Sequence, residues 1–270
     1  MIDLIGIITR TWLGMHAPAG NQIAMAPLVA PPAAGATATA AAAPNASDVV
    51  DNVQKFYAGF KQVTAAFRQS VTNNTFGSTK TSDGTVWLLK PGKMRWDYLE
   101  KMKNNTVQVK KSFISNGTTL YDVEHDNKQV IKKNLSQDLM PVAVSFLYGK
   151  GDLKAEFNPA IDTTGTYGAK GDIVLKLTPK QPSAQYKNLY LVVAKDNFRV
   201  TQSVIVDSSN NINQFRFYDP NFDKEIKDTW FEFDERSVKN YRIIDADQQQ
   251  QQQGSGAAPA PAPVPIEPKK

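Results

Sequence analysis

The chain has no cysteine, only two histidines, and no apolar run long enough to cross a bilayer as a helix. Without cysteine there can be no disulfide, no thiolate metal site, no cysteine nucleophile and no lipid-modified cysteine. Of the two histidines, His16 lies in the leader-like segment and only His125 in the folded region, so no histidine metal cluster is expected, and a Ser-His-Asp arrangement would have to run through His125. That residue stands beside Asp126 and Asn127 between two strand-like segments, where it reads as a solvated turn residue. Walker, G-x-G-x-x-G and EF-hand sequences are missing; Gly149-Lys150-Gly151 lacks the remaining phosphate-cradling positions. Adjacent acids such as Asp234-Glu235 would point to opposite faces of a strand, so they do not form an acid/base pair. The expectation is a protein that is not an enzyme and holds no cofactor or metal.

What is present is a 270-residue chain, 41% hydrophobic and 21% charged, long enough to bury one sizeable core. Its formal net charge is +5, with the lysines scattered, so nucleic acid is not an indicated partner. Residues 1–46 are apolar and then Ala/Pro-rich. They offer small-residue cleavage sites around Ala38 to Ala43, which reads as an export leader. Residues 248–270 hold six consecutive glutamines, GSG and an Ala-Pro alternation, the composition of a solvated tail. Between them, residues 47–247 carry nearly all the charge and the whole of the periodic pattern, and form the single domain.

That domain opens with a helix. Val50, Val53, Tyr57 and Phe60 recur at helical spacing after the start signals Pro44, Ser47 and Asp48. The period then switches to two, and strands are expected over 66–71, 84–89, 93–99, 112–115, 119–123, 129–132, 172–178, 188–193, 200–206, 212–218 and 229–233. A second helix is expected from Leu139 to Tyr148, with Gly149 placed as its C-cap. Met94, Trp96 and Tyr98 alternate with Lys93, Arg95 and Asp97, and Phe215 and Phe217 alternate with Gln214 and Arg216, so each strand has an apolar and a polar side. The fold class that follows is mostly β (α+β): an antiparallel barrel or strongly curved sheet of about eleven strands and two helices. A concave side lined by large apolar residues must be filled by the chain itself or hold an apolar guest.

The run from Phe60 to Tyr98 carries a more specific signal: Phe67-Arg68-Gln69, then Gly84-Thr85-Val86-Trp87, then Lys90-Pro91-Gly92-Lys93-Met94-Arg95-Trp96-Asp97-Tyr98. In order and spacing it resembles the LolA family of periplasmic outer-membrane lipoprotein carriers, over roughly Val50 to Asp234. The resemblance implies an unclosed barrel with the two helices as a lid. It further implies a soluble, exported, monomeric periplasmic protein that accepts acylated lipoproteins from an inner-membrane lipoprotein-releasing ABC transporter complex and hands them to an outer-membrane lipoprotein acceptor. A lipid-binding sensor of the same barrel type is the alternative.

On that reading the candidates for the acyl-chain cavity are Phe67, Trp87, Met94, Trp96, Tyr98, Val142, Phe146, Leu175, Leu191 and Phe215, although core packing alone would give the same alternation. The resemblance also implies a basic lid latch just before the turn proline. Lys90 occupies that position. Lysine lacks the planar fork of arginine, which leaves Arg95 and Arg68 as other cations able to serve.

Overall fold

The computed structural model describes residues 44–135, 152–182 and 186–248. The leader up to residue 43, the helix expected over 139–148, and the tail beyond residue 248 lie outside the described residues.

The first helix, α1 (Ala46–Ala58), starts one turn earlier than its apolar stripe. Asn45 is its N-cap, in extended conformation with its side chain accepting from the Ser47 amide at 2.8 Å. Val49, Val50, Val53 and Tyr57 form its buried face, and the Gly59 amide closes the helix by donating to the carbonyls of Lys55 and Phe56.

Twelve strands follow: β1 (Gln62–Asn73), β2 (Ser78–Leu89), β3 (Lys93–Lys101), β4 (Val107–Asn116), β5 (Thr119–Glu124), β6 (Gln129–Asn134), β7 (Phe157–Ile161), β8 (Ile173–Pro179), β9 (Asn188–Val193), β10 (Val200–Val206), β11 (Ile212–Asn221) and β12 (Arg242–Asp245). The one-turn helix α2 (Leu153–Glu156) leads into β7. All strands belong to one sheet in the order β12-β6-β5-β4-β3-β2-β1-β11-β10-β9-β8-β7, so the sheet is curved but unclosed. Every pairing is antiparallel except that of β12 with β6.

Three differences from the sequence expectation have physical causes. Residues 229–233 are not a strand: Asp228–Phe231 is a 3-10 turn that drives the Phe231 ring into a fully buried site, so its aromatic alternation reports packing and not a ladder. β7 carries Pro159, which weakens a strand signal but is tolerated because β7 is an edge. β12 is four residues long and without alternation; it exists because β6 offers it a free edge.

The second side of the sheet is not uniformly wet. Beyond β11 the chain returns across it, packing Ile226 and Phe231 with Leu89 and Trp87, then Phe233, Val238 and Tyr241 over Ile114, Val123 and Val130. His125 is part of this covering and not a free turn residue. Its Nδ1 lies 2.9 Å from the Tyr241 hydroxyl, and the two rings meet edge to face.

Curvature depends on close approach at Gly84, which pairs with Phe67 on one side and Tyr98 on the other. A Cβ there would lie 2.3 Å from the Asp97 carbonyl oxygen and 2.5 Å from the Phe67 ring. Gly84→Ala should therefore destabilise the domain by about 2 kcal/mol through overpacking, read as a lower urea midpoint. An unchanged midpoint would mean that the Phe67 ring does not lie across this glycine.

Candidate functional site

The strand register fixes which side chains share the concave face. Val63, Ala65 and Phe67 of β1 lie beside Val86 and Leu88 of β2, Met94, Trp96 and Tyr98 of β3, and Phe215 and Phe217 of β11. On the other flank, Leu175 and Leu177 of β8 face Leu191 and Leu189 of β9, with Ile205 of β10 opposite Leu189. All these residues join one continuous apolar cluster, which also takes in Val49, Val50, Val53 and Tyr57 of α1.

The concavity thus has two sectors. One is aromatic: the Phe67 ring meets Trp96 at 5.1 Å and Tyr98 at 5.0 Å, and Phe215 meets Trp96 at 5.5 Å, all but edge to face. The other is aliphatic, and α1 leans on its rim at β7 and β8. Among the described residues the buried indole N–H groups of Trp96, in the aromatic sector, and of Trp87, on the opposite side, find no hydrogen-bond partner, which for each costs about 1–3 kcal/mol of desolvation left uncompensated.

Six of the expected lining residues, Phe67, Met94, Trp96, Leu175, Leu191 and Phe215, fall in this cluster, and Tyr98 packs against it half-buried. Trp87 does not. It alternates with Val86 and Leu88, points to the opposite side of the sheet, and meets the Trp230 ring at 5.7 Å beside Leu89 and Phe231. Val142 and Phe146 lie outside the described residues. Leu88, Leu189 and Ile205 were not singled out from sequence, although the same period-two pattern contained the signal for them.

Two anchors hold the C-terminal end of α1. The Lys90 ammonium donates to the carbonyl oxygen of Tyr57 and lies 4.3 Å from the centroid of the Phe60 ring. A cation at the carbonyl end of a helix meets the negative end of its dipole, and partial burial pulls the Lys90 pKa below that of a free lysine. The Tyr57 hydroxyl accepts from the Val200 amide at 3.2 Å and lies 3.5 Å from the Val200 carbonyl oxygen. Burial pushes the phenol pKa up, so it stays protonated and able to donate there. Lys90, the residue at the expected latch position, thus reaches the end of the helix from the β2–β3 turn. Arg95 does not: it sits on the far side of the sheet, its Nε 3.0 Å from both carboxylate oxygens of the buried Asp97 and its Nη1 3.4 Å from the Trp230 carbonyl. Arg68 is likewise engaged, by Asp83 at 2.7 and 2.9 Å.

The rim beyond Tyr98 is polar. Lys111, 3.1 Å from both Asp122 and Glu124, shares the concave face with them, and its ammonium lies 4.6 Å from the Phe113 ring centroid. Burial raises the Asp122 pKa, and Lys111 opposes the rise. Among the described residues there is no cluster of three or more His, Asp or Glu placed to hold a metal ion.

A family model described as outer membrane lipoprotein carrier protein LolA matches residues 58–234, about two thirds of the chain. An outer-membrane lipoprotein carrier protein of Chromobacterium violaceum is 28% identical over 158 residues, covering 58% of this chain and 70% of its own. The protein of the same description from Neisseria gonorrhoeae is 23% identical over 195 residues, covering 72% and 87%. Among solved structures, a LolA superfamily protein from Nitrosomonas europaea aligns over 71% of this chain and 99% of its own, with 12% identity and a TM-score of 0.39.

Replacing Lys90 by Met should loosen the last turn of α1, at a cost of about 1 kcal/mol. Amide hydrogen exchange in that turn should quicken while exchange in β8 and β9 stays as before, and Lys90→Arg should restore protection. Unchanged exchange in the last turn of α1 would show that the lysine does not hold the helix.

Proposed function

The chain belongs to the LolA family of outer membrane lipoprotein carriers, and on that premise we propose that it takes up the acyl chains of lipoproteins in the periplasm and carries them to the outer membrane. The observation that carries this reading is the continuous apolar concave face with one helix laid across it; the Trp96 indole N–H in its midst has no partner among the described residues. An acyl chain is the guest that such a surface accepts, and the carbonyl at the head of the chain is an acceptor that Trp96 lacks.

The energetics require a lid that resists. Each buried methylene contributes about 0.8 kcal/mol, so one long acyl chain approaches 12 kcal/mol and three exceed the strongest non-covalent affinities known. A carrier must let go. Admitting a chain between α1 and the sheet separates Val49, Val50 and Val53 from the aliphatic sector, and that loss offsets part of the gain. Lys90 and Tyr57 act at the C-terminal end of the helix, so the helix can lift while its last turn remains tied. The carrier itself performs no covalent chemistry. Cargo arrives from an inner-membrane releasing transporter and leaves to an outer-membrane acceptor, as in the family. The relatives favour this reading over a lipid-binding sensor.

Purified chain added to spheroplasts should bring acylated lipoproteins into the soluble fraction, and a triacylated lipopeptide should displace a dansylated fatty acid bound to it. Trp96→Phe should keep the fold and weaken lipopeptide binding by about fivefold or more, the worth of one buried hydrogen bond. A chain that binds the fatty acid yet releases no lipoprotein would be a sensor and not a carrier.

A further inference from the structure

The β1–β2 hairpin runs on past β3, while on its other side β11 stays paired with β1 out to Thr72. The hairpin strands stay paired to Asn73 and Ser78, whereas β3 leaves β2 at Asp83, so residues 78–82 project past β3. At the tip stands Phe76, 80% exposed, the most exposed large apolar side chain among the described residues. Its position is fixed. The Phe76 amide donates to Asn73 Oδ1 at 3.0 Å, the Asn74 amide donates to Asn211 Oδ1 at 2.9 Å, and the Thr72 and Thr79 hydroxyls meet at 2.9 Å.

Antiparallel alternation places the β3–β4 turn at the same end of the sheet, opposite to the end that carries Lys90. That turn exposes Met102 and Val107 and is itself ordered, with the Met102 amide donating to the Thr106 carbonyl at 2.8 Å. Lys80, Lys101 and Lys103 stand between and beside these apolar groups, all exposed, and none is in an ion pair among the described residues. An aromatic ring 80% exposed on a tip whose backbone is fixed, with Met102 and Val107 exposed at the same end, is apolar surface that a partner could cover, and the three lysines give that end a positive rim. Apolar tips flanked by Lys80, Lys101 and Lys103, with the neighbouring acids Glu100 and Asp126 already held by Lys110, match a layered partner that is anionic at its surface and apolar just beneath.

We infer that this end of the sheet docks on the anionic headgroups of a lipid bilayer, with Phe76 entering the interface and Lys80, Lys101 and Lys103 lying against phosphates. This goes beyond acyl-chain carriage: it assigns the chain a membrane-facing end of its own, distinct from the cavity and from any protein acceptor.

The test uses the full chain and vesicles of phosphatidylglycerol mixed with phosphatidylcholine, in a co-sedimentation assay. The chain should bind these vesicles in a salt-sensitive manner and bind pure phosphatidylcholine weakly. Phe76→Ser should weaken binding about tenfold, and each of Lys80→Glu, Lys101→Glu and Lys103→Glu about fivefold or more. As all four side chains are exposed, thermal unfolding and dansylated fatty-acid uptake should be unchanged, which separates this inference from the cavity. In an independent measurement, Phe76→Trp should show a blue shift of its emission when anionic vesicles are added. Equal binding by wild type and variants, no blue shift, or an effect of the variants only on a purified protein acceptor would overturn the inference.

Discussion

The structure turns on the contact between the valine stripe of α1 and the aliphatic sector of the concave face. An unclosed sheet with one apolar side cannot leave that side in water, and among the described residues α1 is the long element laid over it. The contact is non-directional and roughly proportional to area, so another apolar surface can substitute for the helix at similar free energy. Directional bonds instead gather at the C-terminal end, where Lys90 reaches the Tyr57 carbonyl and Tyr57 meets Val200. Elsewhere the helix is held by apolar contact and by the surface ion pair of Lys154 of α2 with Asp51 at 2.5 Å, so it is suited to lifting without leaving once that pair opens.

The other side of the sheet carries the opposite design. The segment beyond β11 is fastened by buried aromatic anchors and by polar bonds to β3: Phe231 lies in its own pocket, Lys93 pairs with Asp228 at 3.0 Å, and Arg95 spans from the buried Asp97 to the Trp230 carbonyl. Asp97 is completed by the Ser112 hydroxyl at 2.7 Å. With β12 added along β6, this segment also covers an edge that would otherwise be free to pair with another chain. One face is thereby made permanent and the other replaceable.

Most of this was legible in the sequence, because a half-buried strand writes its environment as a period of two. Met94-Trp96-Tyr98 and Phe215-Phe217 showed the aromatic sector directly, while Lys90 was singled out only through the family resemblance, beside Arg95 and Arg68. Trp87 was misplaced because its own strand has large apolar residues on both sides: alternation says that Trp87 opposes Leu88, but not which of the two faces inward. Phe231 and Phe233 were read as a strand for the same reason, since alternating aromatics report burial from two directions whatever the backbone does. β7 and β12 are edge strands, too short or too proline-interrupted to show a period. The burial of the Trp96 N–H and the ties of Tyr57 to Val200 depend on contacts between residues far apart in the chain, which no local pattern records.

On the proposed reading acyl chains lie along the concave face, from the Trp96 indole to the aliphatic sector under α1. That placement is tested most directly by fluorescence quenching in a chain whose Trp12, Trp87 and Trp230 are replaced by Phe, leaving Trp96 alone. Loading with a lipopeptide brominated along its acyl chains should quench the emission of Trp96, while the converse chain retaining only Trp87 and Trp230 should keep its emission. Quenching of the latter pair with Trp96 unaffected would place the acyl chains on the wrong side of the sheet and contradict the account.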